Sequence, residues 1–214
     1  FVGKIISMKL AALDAQSQLR MGNHLGQTLN ALIRDIYAQD DFAQTLQQHA
    51  LAILDLVRAS GAVLRINGQQ LCLGQVPEPA RIEELFGWLG QQAPAESLVT
   101  EHLVSRYPAG AEYAELASGL LATPIAPGMK NCMLWFRPER LRTINWAGYP
   151  EKRVEPDALG DLRISPRKSF AVWHETWRQR SDEWTSLQID SAVVLSSALI
   201  DAVDHKKAKQ TAAR

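Results

Sequence analysis

Residues 165–170 read SPRKSF, a Ser-Pro step followed by a basic pair, a hydroxyl and a phenylalanine. Arg167, beside Pro166 and Ser169, is the most chemically pointed side chain of the group. A guanidinium grips a carboxylate through two parallel hydrogen bonds. A little further on, HETWR at His174–Arg178 begins like the helix of a zinc protease. That chemistry needs a second histidine at i+4, where Arg178 stands instead, so the metal reading fails. The remaining histidines, His24, His49, His102 and His205, are scattered and read as surface or packing residues. No phosphate loop, dinucleotide fingerprint or Gly-x-Ser-x-Gly elbow is present.

Basic residues among tryptophans also raise single-stranded nucleic acid, where aromatics stack bases and cations hold phosphates. Trp135 to Trp184 holds five of the six tryptophans and ten of the 23 Lys/Arg residues. It also holds eight Asp/Glu residues, so its charge is nearly balanced and nucleic acid is not the expected partner. Neither a catalytic site nor a metal site emerges from the residue types, and the chain is read as non-enzymatic.

The 214 residues carry 23 basic and 23 acidic side chains, so no global field points to nucleic acid or anionic lipid. Length and a 46% apolar content suit one domain with extensions, able to bury a core without staples. Cys72 and Cys132 are far apart, each in an apolar run, and read as small core residues. No apolar run reaches a membrane span and no signal peptide is visible. No membrane partner and a cytoplasmic location are therefore expected. The opening FVGKIISMKL and the closing DHKKAKQTAAR both read as cut from something larger.

The elements that must hold these residues are set by periodicity. From about Leu10 to Tyr37, a helical stripe includes Leu25, Leu29, Leu32, Ile33 and Ile36. It suits either a connecting helix along a partner or an ordinary core helix. Asp40 and Asp41 supply an N-cap for a second helix through Phe42, Leu46, Leu54 and Val57, with Gly61 as its stop. AVLRINGQQLCLG predicts a hairpin turning at Asn67-Gly68. A helix with Pro79 in its first turn buries Ile82, Leu85, Phe86 and Leu89. SLVTEHL reads as a strand, and GLLATPIAPGMKNCMLWF as two strands around Pro127-Gly128. The fold class is α+β: a GAF/PAS-like antiparallel sheet backed on one face by helices.

The stretch from Trp135 to Trp184 has no obvious place in such a core, so it is expected to fold against something. Its incoming arm, RLRTINW, alternates like a strand, with Arg142, Ile144 and Trp146 on one face. Its outgoing arm supports two packings. As a helix, Ser165 is the N-cap, Pro166 the first residue, and Phe170, Trp173, Trp177 and Trp184 share a face. Arg178 and Arg180 then favour the helix dipole. As a strand, Phe170 and Val172 share one face and Trp173 the other. After Trp184, Thr185 and Gln188 form a capping box for an exit helix. That helix carries a stripe through Ile189, Val193, Ser196, Leu199, Ile200 and Val203, able to pair with a second copy.

Taken in order, WFRPE at Trp135–Glu139, WAG at Trp146–Gly148, Pro-Arg-x-Ser-Phe at Pro166–Phe170 and Trp184 resemble the PHY domain of phytochromes, most closely the bacterial type. YPAG at Tyr107–Gly110 and ASGLLA at Ala117–Ala122 fit the body of that domain. The resemblance covers nearly the whole chain. It implies that residues 1–38 are the end of a preceding GAF domain with its connecting helix, 39–186 the PHY domain, and 187–214 the exit helix and tail. It makes residues 135–184 the family's projecting tongue, which reaches the bilin-binding GAF domain, shields the bilin and refolds between hairpin and helix.

On that resemblance, Pro166, Arg167, Ser169 and Phe170 contact the chromophore domain. Arg167 pairs with a GAF aspartate in one state, and Ser169 takes over in the other. Trp146, Ala147 and Gly148, with Trp184, belong to the switch, the two tryptophans exchanging places. Biliverdin or a related bilin is the full-length cofactor, with none held by this chain, since neither Cys72 nor Cys132 matches the attachment cysteine. Expected partners are the GAF domain in cis, an output module such as a histidine kinase, and a second copy in a homodimer. The alternative is a free-standing GAF-type module that binds a small ligand.

Overall fold

Asn67 and Gly68 both take positive φ, 52° and 80°, the conformation a two-residue type I′ turn demands. In the computed structural model they join β1 (Gly61–Ile66) to β2 (Gln69–Gly74) in register from Ile66↔Gln69 to Gly61↔Gly74. Described residues are 9, 22–23, 25–38, 42–92, 97–125, 129–140, 142–147, 154–156, 162–164 and 172–212.

Ahead of the hairpin lie α1 (residues 25–38), α2 (Phe42–Gln48) and α3 (Ala50–Leu56). Leu29, Leu32 and Ile36 of α1 are buried, as its stripe predicts. The single second helix expected from Phe42 to Val57 is split at His49, whose N–H nonetheless donates to Thr45 O (3.1 Å). Positions 40 and 41, the expected cap, lie outside the described residues.

Gly61 is not the helix stop. Arg58 is, in the left-handed region at φ 50°. Its N–H donates to Asp55 O (3.2 Å) and that of Ala59 to Leu54 O (3.0 Å), the paired bonds of a Schellman end. Gly61 opens β1 instead, where a Cβ would lie 1.7 Å from Gln75 O.

After the hairpin come α4 (Pro79–Gln92), β3 (Leu98–Thr100), α5 (Leu103–Arg106), a 3₁₀ turn (Pro108–Tyr113) and α6 (Ala114–Ala117). Next are β4 (Gly119–Pro124) and β5 (Cys132–Arg137). The five strands form an antiparallel sheet in the order β2-β1-β5-β4-β3. The α+β class and the helix-backed antiparallel sheet are as expected, but helices cover both faces rather than one. Leu64, Leu121 and Trp135 meet α1, α3 and the C-terminal helix on one side. Val63, Leu120, Leu134 and Phe136 meet α4, α5 and α6 on the other.

Alternation explains this: successive residues of β5 point to opposite faces, and all six are buried. Each fully buried large apolar side chain contributes about 1.5–3 kcal/mol, so both layers are held by the same strand. Cys132 is a core residue as expected; Cys72 is exposed, because β2 is an edge strand.

Beyond β5 the chain forms β6 (Arg142–Ala147), β7 (Val154–Pro156), β8 (Leu162–Ile164) and β9 (Val172–Trp177). It then enters α7 (Ser186–Ala212), the expected exit helix. Ser186–Val203 is long and apolar enough to cross a membrane by length and composition, but polar residues interrupt it and 44% of it is buried within the fold. Its buried stripe is Ala192, Leu195, Ser196, Leu199 and Ala202. Of the expected stripe, Ser196 and Leu199 belong to this buried face, whereas Val193 is 40% exposed.

Candidate functional site

The region between Trp135 and Trp184 is built as two ribbons. β6 pairs antiparallel with β9, Trp146 opposite Trp173 and Arg142 opposite Trp177, and β7 pairs with β8. Of the two packings open for the outgoing arm, residues 172–177 adopt the strand, so no helix dipole acts on Arg178 or Arg180. Trp146 and Ala147 are placed by this register. Ser165, Pro166, Arg167, Ser169, Phe170 and Gly148 lie outside the described residues.

At the foot of the ribbons the outgoing and returning chain are fastened side by side. Arg140 N–H donates to Arg180 O (2.7 Å), and Gln179 N–H donates to Glu139 Oε1. Arg140 and Asp182 form an ion pair, exposed at both partners and hence worth little. Ser181 N–H donates to Glu101 O (2.9 Å), drawing the returning limb onto the sheet beside β3. Gly119 permits that approach, since a Cβ there would lie 2.1 Å from Ser181 Oγ.

Below this foot sits Arg137, only 4% exposed, the last residue of β5. Nε donates to Arg58 O (3.2 Å), and Nη1 to Asp182 O (3.2 Å) and Glu183 O (2.7 Å). Nη2 donates to Val57 O (2.5 Å) and Gln188 Oε1 (3.0 Å). Those five bonds match the five N–H groups of a guanidinium. Burial pulls its pKa below the ordinary value, with the nearby Asp182 carboxylate opposing that shift. The same guanidinium lies over the Trp184 ring, 3.8 Å from the centroid. Trp184 is buried, and its Nε1–H donates to Thr100 O (3.3 Å) at the end of β3.

The expected capping box is present. Thr185 N–H donates to Gln188 Oε1 (2.9 Å), and Gln188 N–H donates to Thr185 Oγ1 (3.4 Å). One amide oxygen thus serves both the cap and Arg137. Further along α7, Ser196 Oγ and Thr123 Oγ1 share a buried hydrogen bond of 2.7 Å that fixes the helix on β4.

Beside the foot lies a cleft of about 530 Å³ lined by Arg81, Glu112, Tyr113, Glu139 and Arg178. Its charges are largely spoken for: Arg81 pairs with Glu84 (2.9 Å) and Glu112. Burial raises the Tyr113 hydroxyl far above its ordinary value, so it stays protonated. Among the described residues, no group of three or more His, Cys, Asp or Glu side chains is placed to hold a metal ion.

The structure thus brings Trp184 together with Arg137 and Gln188, an association the sequence did not reveal. One signal was available: an arginine closing the apolar run CMLWFR must be buried, and a buried guanidinium needs acceptors for all its donors.

The family model for PHY, the phytochrome region, matches residues 25–208. The chain belongs to the PHY family. Cyanobacterial phytochrome B of Nostoc sp. is 37% identical over 96% of this PHY chain, which covers 27% of that relative. Among solved structures, the wild-type photosensory core module of the Stigmatella aurantiaca phytochrome matches at TM-score 0.71 and 32% identity. That match covers 96% of this chain and 41% of the other. A bacteriophytochrome from R. palustris matches at TM-score 0.77 and 28% identity, over 92% of this chain and 39% of its own. This PHY domain therefore spans between about a quarter and two fifths of these proteins. It is a sensory domain of the phytochrome photoreceptor family.

Proposed function

We propose that this PHY domain is a signal relay within a bilin-carrying red/far-red photoreceptor. Residues 135–184 form the tongue that touches the chromophore-binding GAF domain. In this reading residues 1–38 continue from that GAF domain, and α7 leads to an output module within a homodimer. The chain itself does no chemistry; the bilin, held upstream, absorbs the light. Pro166, Arg167, Ser169 and Phe170 meet the chromophore domain, Arg167 through a carboxylate in one state and Ser169 in the other. Trp146, Ala147, Gly148 and Trp184 change partners as the outgoing arm passes between strand and helix.

The observation that supports this most directly is the foot of the ribbons. The limb that returns from β9 reaches α7 within nine residues, from Arg178 to Ser186. Over that distance it is bonded to Glu101, just past β3, through Ser181 and to Arg137 of β5 through Asp182 and Glu183. A rearrangement of β9 therefore has a short, bonded path to the first turn of the helix. Interfaces built of packed, hydrogen-bonded parts move between discrete arrangements rather than deforming smoothly, which suits a relay.

The test joins this chain to its upstream sequence and supplies biliverdin. Covalent or tight bilin binding with a reversible light–dark difference spectrum is expected. Arg167→Ala in that receptor is expected to leave bilin attachment intact and alter the photoproduct spectrum. An unchanged difference spectrum counts against the tongue assignment, and absence of bilin uptake by the parent counts against the photoreceptor reading.

A further inference from the structure

We propose that Arg137 is the positioning residue that couples the returning limb to the start of α7, and that it does so through Gln188. This rests on the relay reading. The starting point is geometric: the insertion leaves the sheet at Arg137 and comes back at Asp182–Trp184, directly onto the same guanidinium.

The donors of Arg137 divide into two sets. One set holds the fixed body, through Val57 O and Arg58 O at the Schellman end of α3. The other holds the chain on the far side of the ribbons, at Asp182 O, Glu183 O and Gln188 Oε1. The ring of Trp184 covers the guanidinium face and closes the site to water. A planar guanidinium presents its donors in a rigid fork, so one set cannot be shifted without misaligning the other.

Gln188 converts that constraint into a helix response. Its Oε1 accepts from Thr185 N–H, capping α7, and from Arg137 Nη2. When the limb carries Asp182 and Glu183 away, Arg137 loses two acceptors while buried, which is costly. It can recover them only by moving with the limb, away from Val57 O and Arg58 O and from a Gln188 that stays with α7, which loosens the first turn of that helix. The exposed Arg140–Asp182 pair has no comparable hold, since water replaces either partner.

Two variants separate this from a merely structural role. Arg137→Lys keeps the charge but cannot span five acceptors; Gln188→Leu leaves Arg137 its other four acceptors and removes the shared oxygen. In the isolated chain, amide exchange at Gln188 and Ile189 is expected to accelerate by roughly tenfold in either variant, with β1 and β5 amides unchanged. In the bilin-loaded receptor, the parent is expected to show light-dependent exchange across residues 182–190. Both variants are expected to photoconvert normally yet show less than about a twofold light-dependent change there. Variants that keep the parent's light response at residues 182–190, or lose photoconversion itself, overturn the coupling role. So does acceleration spread equally over β1 and β5. A parent receptor that photoconverts with no change at residues 172–190 overturns the relay reading, and Arg137 coupling with it.

Discussion

Two glycines in one hairpin show how differently a single residue type is used. Gly68 is needed for its φ of 80°, and a Cβ there would meet nothing within 4 Å. Gly61 has ordinary backbone but lies against the backbone of Gln75, where no Cβ fits. Gly68→Ala should therefore cost only the left-handed strain of about 1–2 kcal/mol. Gly61→Ala should displace the 60–75 backbone and cost several-fold more, read as the difference in chemical denaturation midpoint. Equal losses at the two positions would contradict the close approach. The Thr185 cap belongs to the same scale: Thr185→Ala is expected to destabilise by about 1 kcal/mol, the usual worth of an N-cap. The Thr185–Gln188 box was legible because it depends only on local spacing. Arg137 was not, because its acceptors lie 79 and 80 residues upstream and 45, 46 and 51 downstream.

At the scale of elements, α7 carries apolar residues on more than one face, and the predicted stripe coincides with the buried one only in part: Ser196 and Leu199 are buried, Val193 is exposed. The stripe through Val193 and Ile200 has the more apolar side chains. The buried stripe is smaller, with Ala192, Ser196 and Ala202 letting the helix approach the sheet and Thr123 bond Ser196. Large residues are not required where backbones come close; shape and a satisfied hydroxyl pair decide. Leu195, fully buried, should lose about 2–5 kcal/mol on truncation to Ala, whereas Val193→Ala should stay within about 0.5 kcal/mol in the isolated chain. Thermal unfolding of the two variants checks this, and a larger loss at Val193 would contradict the buried face of α7. The outgoing arm of the insertion is the other element left undecided by pattern. Its aromatics satisfy a period of two or of 3.6, and pairing with β6 selects the strand over residues 172–177.

For the whole molecule, β5 is the structural centre. Its alternate residues feed both helical layers, so the layers should unfold together in one transition when monitored by separate probes. Cys132 on this strand reports the same core. Burial pushes its thiol up from 9.0 to about 12. The folded state then keeps a proton that the unfolded chain releases. That contribution is complete below pH 9.0 and is lost as pH rises toward about 12. Denaturation midpoints measured across that window should fall for the parent and fall less for Cys132→Ala. Near about pH 8, iodoacetamide should label Cys72 in the native chain and reach Cys132 only after unfolding.

The sequence by itself determined what rests on neighbours along the chain. This includes the Asn67-Gly68 hairpin, the α4 stripe, the Thr185–Gln188 cap, the α+β class and, through WFRPE, WAG and PRKSF, the family. Only the tertiary structure decided what rests on residues distant in sequence. It placed helices on both faces of the sheet, moved the stop of α3 to Arg58 and chose the buried side of α7. It also gathered Arg137, Trp184 and Gln188 at the foot of the insertion. The physical reason is common to all of these. Turns, caps and periodicity arise from local backbone geometry, whereas burial and hydrogen-bond satisfaction depend on which distant groups arrive.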